Sequence, residues 1–351
     1  MDFFNSLVSK PEMEIIIDEI QGRKKSTFKR KNDEKIKMPT FHDRETISGK
    51  VIVNLNKLKK FEHTGIRIQL VGCIEHFQDK KNSSKFITLN RDLEPPGIIN
   101  NDVTQIPFKF NNVDMQYETY YGLNMRVYYY LEVIMTASVR NISAEQEFGV
   151  INEEDSPITT LDKIKLEVGI DDWLHLVFEV ERNKYHLKDV IDGFVRFKKV
   201  SIKLVSMELQ LIRKETMLAN TNSKPETEVI TRFEIMDGGP TKNETIPIKW
   251  FLSPYELTPT YSNVGNRLSV QYYINLVLID VEERKYFKQH EVTFLRLDKK
   301  SQSAMEGLRE ERKKEKEIKE KEKQQKKEEE KLEKERQKEK EISENLISNS
   351  N

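Results

Sequence analysis

The stretch NMRVYYYLEVIM (Asn124–Met135) decides the fold, because its pattern returns as RLSVQYYINLVL (Arg267–Leu278). In both stretches every second position is apolar or aromatic, whereas the positions between them are mixed. A period of two in β-branched and aromatic residues is typical of a strand that packs on one face. The pattern predicts that Tyr129 and Tyr272 face a core and that the tyrosine following each of them faces away.

Exposed tyrosines beside a basic groove would instead suit stacking on the bases of single-stranded nucleic acid. Here the matching tyrosines recur in both copies and half of them point inward, which favours packing between strands. The chain has 59 Lys and Arg residues against 59 Asp and Glu residues, so its formal net charge is zero. A neutral chain offers no overall attraction to nucleic acid or to an anionic membrane, and we expect no nucleic-acid partner.

The repeated stretch belongs to a longer duplication. Two further pairs precede it in the same order: ISGKVIV (Ile47–Val53) with IDGFVRF (Ile191–Phe197), and IPFKF (Ile106–Phe110) with IPIKW (Ile246–Trp250). The three offsets are 144, 140 and 143 residues, a period too long for a solenoid. In the first pair, Gly49 and Gly193 are interpreted as turn residues that lead into a strand.

Both copies are rich in short alternating runs separated by turn residues, and neither shows an apolar stripe at helical spacing. This composition predicts an all-β protein of two tandem antiparallel β-sandwich domains. The predicted boundaries are 1–151 for the first sandwich, 152–162 for a linker, 163–299 for the second sandwich and 300–351 for a charged tail. Residues 194–214 are interpreted as a single long run within the second sandwich.

The tail changes character. Residues 309–342 are almost entirely Glu, Lys, Arg and Gln, and Ile318, Leu332 and Ile342 are too sparse for a coiled-coil seam. Glu and Lys recur four residues apart, which supports a solvated helix by about 0.2–0.5 kcal/mol per pair. We predict a charged tail that is helical or disordered, and acids balance bases too evenly for a nucleic-acid arm.

Chemical motifs are missing from the sequence. The six histidines form no metal-ligand spacing, and no phosphate-binding glycine loop or nucleophile elbow is present. His175 follows Asp171 and Asp172, and His186 precedes Asp189, but such neighbours arise by chance in a chain that is 34% charged. The single cysteine, Cys73, lies in an apolar run and is expected to be a small buried residue. We therefore predict no enzyme activity, no cofactor and no metal.

One segment resembles a partner surface. The run EVITRFEIM ends in the adjacent apolar residues Ile235 and Met236, directly before the turn residues Asp237–Pro240. Neighbouring residues of a strand face opposite sides, so one of the two is expected to be exposed beside the turn. An exposed apolar residue there would suit an interface, and a strand end covered by its own loop is an equally good interpretation.

The two tandem sandwiches resemble the arrestin-like architecture, and specific strings narrow the resemblance. From about residue 12 to residue 297 the chain is similar to the vacuolar protein sorting-associated protein 26 family. The similarity is carried by ISGKV (47–51), FEHTGIRI (61–68), KLEVGIDDWLHLVFE (165–179), KYHLKDVI (184–191), SMELQLI (206–212), FEIMDGGP (233–240) and YFKQHE (286–291). The tail after Lys300 and the linker NEEDSPITTLD depart from it.

The resemblance implies a scaffold subunit of the retromer core, which recycles transmembrane cargo from endosomes to the Golgi or the cell surface. Its partners would be a long α-solenoid subunit, a small phosphoesterase-like subunit reached through it, sorting nexins and cytoplasmic tails of cargo. The positions implied for the solenoid subunit are Ile235, Met236, Asp237 and Gly238. Those implied for sorting nexins and cargo are Val168 and Phe287, at a sheet edge that would add a peptide strand.

An alternative is a general arrestin-like adaptor that binds receptor tails outside retromer, although the PPxY-type tail motifs of such adaptors are missing. The sequence has no basic leader and no uncharged apolar run near the ~20 residues that span a bilayer. We therefore expect a cytoplasmic protein that reaches endosomal membranes peripherally, through its partners.

Overall fold

The computed structural model describes residues 10–18, 23, 25–29, 34–77, 83–138, 140–155, 162–170, 172–218 and 225–348. One compact unit spans residues 1–153 and 161–296, and a second spans residues 154–160 and 297–351. All named strands lie in the first unit, and the named helix lies in the second.

Two sheets and a separate pair of strands form the first sandwich, from the first twelve strands of the described chain. These are β1 (Glu12–Ile17), β2 (Lys25–Lys29), β3 (Lys35–Phe41), β4 (Ile47–Asn54), β5 (Phe61–His63), β6 (Gly65–His76), β7 (Ser84–Glu94), β8 (Gly97–Ile99), β9 (Val103–Phe110), β10 (Tyr120–Tyr121), β11 (Met125–Thr136) and β12 (Ile142–Val150). The smaller sheet has the order β1-β4-β9, and the larger has the order β2-β3-β12-β11-β6-β7 with β10 on β11. β5 and β8 pair separately.

The second sandwich repeats this plan. Its strands are β13 (Ile164–Ile170), β14 (Leu174–Val180), β15 (Lys184–His186), β16 (Val190–Val200), β17 (Leu204–Met217), β18 (Glu226–Asp237), β19 (Thr245–Phe251), β20 (Tyr261–Val264), β21 (Leu268–Asp280) and β22 (Lys285–Leu295). One sheet has the order β13-β14-β16-β19, and the other has the order β15-β22-β21-β17-β18 with β20 on β21.

The two strand orders correspond almost strand for strand. The series β3-β12-β11-β6-β7 matches β15-β22-β21-β17-β18, and β1-β4-β9 matches β14-β16-β19. Even the short parallel pairing in an otherwise antiparallel sheet recurs, between β3 and β12 and between β15 and β22. The all-β, two-sandwich fold predicted from the duplicated stretches is therefore confirmed. The predicted domain boundaries at residues 151, 162 and 299 stay predictions.

The tyrosines that opened the sequence comparison lie where the alternation places them. Tyr129 is buried in the core of the first sandwich and Tyr272 in that of the second. Each hydroxyl has a partner, since Tyr129 donates to the Tyr117 carbonyl at 2.8 Å and Tyr272 lies 2.7 Å from the Thr258 hydroxyl. The next tyrosine, Tyr130, turns to the opposite face of the sheet and stacks on Tyr128 there.

Gly49 and Gly193 do not lie in turns, so that interpretation was wrong. Both lie inside strands, Gly49 in β4 and Gly193 in β16. A Cβ at Gly49 would collide with the carbonyl oxygen of Ile16, and one at Gly193 would collide with that of Glu179. The duplicated glycine thus permits a close approach between the backbones of neighbouring strands.

The run at residues 194–214 is also divided, contrary to prediction. β16 ends at Val200 and β17 begins at Leu204, and the short connection between them crosses from the smaller sheet to the larger one. Residues 201–203 contain neither glycine nor proline, so the sequence carries no turn signal at the crossing. Strand β12 was not predicted from the sequence, because its first six residues, ISAEQE, are mostly polar.

A buried ion pair ties the two sandwiches together. The carboxylate of Glu118, in the first, accepts two hydrogen bonds from the Arg296 guanidinium, at 2.8 and 3.1 Å. The Tyr261 hydroxyl donates to the same carboxylate at 3.2 Å. These charge-assisted bonds satisfy an otherwise costly buried carboxylate.

A second buried carboxylate, this one in the second sandwich, binds donors of the first. Glu215, buried in the second sandwich, accepts from the Tyr120 hydroxyl and the Leu123 backbone N–H, each at 2.9 Å, and from the Asn124 N–H at 3.1 Å. Burial, reinforced by the nearby Glu215 charge, raises the pKa of Tyr120 well above its ordinary value, so the phenol remains a donor. Both sandwiches therefore belong to one compact unit.

A single long helix, α1 (Lys299–Ser348), follows the strands in the described chain. Its first turn is capped by Asp298, whose carboxylate accepts the Ser301 backbone N–H at 2.7 Å. Hydrogen bonding from the Ser301 side chain, together with this backbone bond, lowers the pKa of Asp298. The charged tail is thus helical, one of its two predicted forms. No helix in the described ranges combines the length and the apolar character that crossing a membrane requires.

Candidate partner-binding surfaces

The four residues predicted for the solenoid subunit lie together at the end of an outer strand. Ile235, Met236, Asp237 and Gly238 form what we call the loop site. β18 is hydrogen-bonded only to β17 among the described strands, so its other edge carries no paired strand. The register with β17 pairs Met207 with Met236 and Glu208 with Glu234, which leaves Ile235 without a partner. Ile235 is therefore the extra residue of a β-bulge.

The bulge changes the expected orientation of the apolar pair. Strict alternation predicts one buried and one exposed residue, but both Ile235 and Met236 are half-buried and both pack against the core of the second sandwich. That expectation was wrong, because an extra residue breaks the period of two on which it rests. Each side chain instead leaves part of its apolar surface accessible at the strand end.

The remaining two residues shape the turn. Asp237 is exposed, and Gly238 has φ = +100°, which L side chains rarely adopt. The Gly238 N–H donates to the carbonyl of Val205 at 2.5 Å, which holds the turn against the start of β17. A Cβ at Gly238 would meet no atom within 4 Å, so the requirement for glycine there comes from backbone conformation and not from space.

The rest of the loop is closed by its own hydrogen bonds. The backbone N–H of Thr241 donates to the Glu244 carboxylate at 2.7 Å, and the Glu244 N–H donates back to the Thr241 carbonyl at 3.2 Å. Asn243, with φ = +67°, donates its N–H to the Phe197 carbonyl at 2.7 Å. A loop fixed in this way presents its apolar base with little ordering cost on binding.

The two residues predicted for sorting nexins and cargo, which we call the edge site, differ in exposure. Val168 lies on β13, opposite Leu176, and is only 8% exposed because its side chain packs into the core. β13 is hydrogen-bonded only to β14 among the described strands. What β13 offers a partner at Val168 is thus its main chain, whose free edge can accept an added strand.

Phe287 supplies the exposed side chain of the edge site, because the side chain of Val168 is buried. It lies on β22 and is 68% exposed, although its partner on β21, Val277, is buried. β22 pairs with β15 only over Thr293–Leu295, so the portion around Phe287 has no described strand on its outer side. β13 and β22 contact each other, so the two strands that carry the edge site are neighbours.

The two histidines with acidic neighbours in the sequence form no convincing catalytic pair with those neighbours that the structure describes. Asp172 forms an ion pair with Lys199 at 3.0 Å, and the imidazole of His175 lies 3.9 Å from the Glu167 carboxylate. At the other pair, the backbone N–H of His186 donates to Asp189 at 3.2 Å, which is a turn contact. Asp171 lies outside the described residues. Among the residues described, no three His, Cys, Asp or Glu side chains are placed to hold a metal ion.

Comparison with known proteins assigns the chain to a family. Residues 7–283 match the family model described as vacuolar protein sorting-associated protein 26. The chain belongs to the vacuolar protein sorting-associated protein 26 family. It is 44% identical to vacuolar protein sorting-associated protein 26B of Arabidopsis thaliana over 297 residues, covering 84% of this chain and 97% of the relative.

Relatives from other organisms give the same result. The protein 26 of Plasmodium falciparum is 44% identical over 77% of this chain and 90% of its own length. The protein 26B of Homo sapiens is 42% identical over 81% and 84%, respectively. Membership confirms the resemblance read from the sequence strings, and it supports a role in vacuolar protein sorting for this chain.

Proposed function

We propose that this chain is a scaffold subunit of the retromer core, without catalytic activity, that binds the α-solenoid subunit through the loop site. The observation that carries the proposal is the apolar end of β18, formed by the bulge at Ile235 and the residues that follow it. It places two adjacent apolar residues half-exposed beside a left-handed glycine, on a strand edge without a described partner. Through the solenoid, the chain would join the phosphoesterase-like subunit and reach endosomal membranes peripherally.

A second contact of the same proposal concerns the edge site. An extended cargo tail, presented with a sorting nexin, would add a strand along the β13 edge while Phe287 packs against one of its side chains. The support is the pairing of a free strand edge with an exposed aromatic side chain on the neighbouring strand. Main-chain hydrogen bonds would supply affinity, and the contact with Phe287 would select sequence.

The loop site is tested by Ile235→Asp with Met236→Asn. Because the pair is the apolar centre of the proposed interface, we expect the double variant to lose co-purification with the solenoid subunit. The matched control is Ile98→Asp, an exposed apolar residue at the corresponding end of the first sandwich. It should co-purify like the unmodified chain.

Both half-buried residues touch the core, so folding is checked separately by circular dichroism and thermal melting. Asp237→Arg provides a second variant, because Asp237 is exposed and its reversal leaves the core untouched. Weakened binding of Asp237→Arg with an unchanged melting temperature would support the site. Normal co-purification of both loop-site variants would refute it.

A further inference from the structure

The loop site is one part of a larger surface at the same end of the second sandwich. Three other loops meet there, and the crossing segment 201–205 touches each of its neighbours through the backbone. The bonds run from Ser201 N–H to the Trp173 carbonyl (2.6 Å), from Val281 N–H to the Lys203 carbonyl (3.2 Å) and from Gly238 N–H to the Val205 carbonyl (2.5 Å). The three loops and the loop site therefore form one continuous rim.

This rim carries three exposed apolar side chains, which we call the tip ridge. Trp173 and Val281 are each 59% exposed, and Val205 is 42% exposed. Single exposed apolar residues need no explanation, but three on adjoining loops, next to an apolar strand end, form a patch. Tryptophan is also one of the residue types that are enriched at the energetic centres of protein interfaces.

The charges around the ridge favour a protein over a lipid surface. Two of the basic residues there are paired with acids, Lys199 with Asp172 at 3.0 Å and Arg284 with Asp280 at 2.8 Å. An anionic bilayer binds unmatched Lys and Arg clusters and is repelled by exposed carboxylates. Asp172, with its side chain almost fully exposed beside Trp173, opposes insertion into such a bilayer.

The position of the ridge favours the same partner as the loop site. Val205 accepts the hydrogen bond of Gly238, so a protein seated on the loop site covers the start of β17 as well. On the far side, Val281 lies in the turn that leads into β22 and toward Phe287. The ridge thus extends from the loop site toward the edge site along one end of the sandwich.

We infer that Trp173, Val205 and Val281 are part of the binding surface for the α-solenoid subunit, continuous with the loop site. The inference rests on the proposed function, because it names further contacts of the same partner. Trp173 is its principal anchor, since it exposes the largest apolar side chain on the ridge. Val205 joins the anchor to the loop site.

The test uses the purified full chain and the purified solenoid subunit, with the dissociation constant measured by calorimetry. The ridge variant is Trp173→Ser with Val281→Ser, the loop variant is Ile235→Asp with Met236→Asn, and the control is Ile98→Ser. The two positions of the ridge variant and the one position of the control are each more than half exposed, so we expect these substitutions to leave folding intact. We expect the ridge variant to raise the Kd at least about tenfold and the control to leave it unchanged.

The outcomes separate the inference from the proposed function. If the loop variant loses binding while the ridge variant binds normally, the ridge is not part of the interface and the proposed function stands. If the unmodified chain does not bind the solenoid subunit, the inference and the proposed function are both wrong. The chain is also tested for binding to vesicles that contain phosphatidylserine. If Trp173→Ser abolishes vesicle binding and leaves solenoid binding unchanged, the ridge is a lipid contact and the inference is wrong.

Discussion

β7 and β18 hold the same place in the two sandwiches, at the outer edge of the larger sheet. Each has two bulges at corresponding positions: Phe86 and Leu93 are skipped in the register of β7, and Ile230 and Ile235 in that of β18. The bulge near the strand end therefore belongs to the duplicated architecture. It cannot by itself explain why one edge and not the other would bind a partner.

The residues that follow the bulge make the difference. In β7, Leu93 is followed by the exposed Glu94 and then by Pro95 and Pro96, and the chain goes on to pair β8 with β5. In β18, the bulge is followed by a second apolar residue and by a glycine in the left-handed region. Proline fixes a negative φ and cannot make that turn. The end of β7 thus continues through prolines into a separate pair of strands, whereas the end of β18 keeps two apolar residues beside a turn.

The largest effect is expected at the duplicated glycines inside the strands. Gly49→Ala and Gly193→Ala each force a methyl group onto a neighbouring backbone carbonyl, and we expect a loss of about 3 kcal/mol in the free energy of unfolding for each. Denaturant unfolding measures it. Gly169→Ala is the control, because a Cβ there meets nothing within 4 Å, and it should change stability by under about 0.5 kcal/mol. Equal stability of all three variants would contradict the close-approach explanation.

A smaller effect is expected at the glycine that distinguishes the two edges. Gly238→Ala must adopt a strained positive φ, at a cost of about 1 kcal/mol, or rearrange the turn. Either result displaces Met236, so binding of the solenoid subunit should weaken. The adjacent Gly239→Ala is the control, since its nearest contact would be an ordinary 3.5 Å. If both variants bind the solenoid subunit like the unmodified chain, the conformation of the turn does not matter for binding.

The smallest effect concerns a carboxylate that only the second sandwich has. Asp280, whose equivalent 143 residues earlier is Ala137, accepts hydrogen bonds from the backbone N–H groups of Glu282 and Arg284, from the Arg284 side chain and from Tyr286. Burial alone would raise its pKa, but these bonds lower the pKa of Asp280 below its usual 3.8. A lowered pKa in the folded state means stability that is present above pH 3.8 and is lost as the pH falls through the folded value.

Asp280→Asn should therefore lower the melting temperature at neutral pH and progressively less below pH 3.8, where the unmodified chain loses the same charge. Glu282→Gln, in the same turn but exposed, is the control, and its effect on the melting temperature should change little with pH. A difference in melting temperature that is constant with pH would show that the charge of Asp280 does not stabilise the turn.

The strands that could be predicted were those whose own residues alternate. Tyr129 and Tyr272 are placed correctly by a local period of two, and the matched offsets give the duplicated plan. The role of Gly49 could not be predicted, because it depends on the backbone of β1, which the local sequence does not reveal. The bond between Glu118 and Arg296 joins residues 178 apart, and no pattern marks either one.

The candidate site was predicted in part for a similar reason. The apolar pair before a glycine turn is visible in the sequence, and so is the unusual tryptophan in IDDWL. The bulge at Ile235 is not visible, since it is defined by the register with β17. The assembly of Trp173, Val205 and Val281 on one rim depends on backbone bonds among separate loops, and only the folded chain brings them together.

Hydrogen exchange of the full chain, with and without the solenoid subunit, tests the central claim most directly. Amides that become buried or ordered at an interface exchange more slowly. We expect slower exchange on binding for residues 235–241 and 201–205 at the end of the second sandwich. Residues 93–98, at the corresponding end of the first, should not change. Slower exchange confined to residues 93–98, with 235–241 unaffected, would contradict the account.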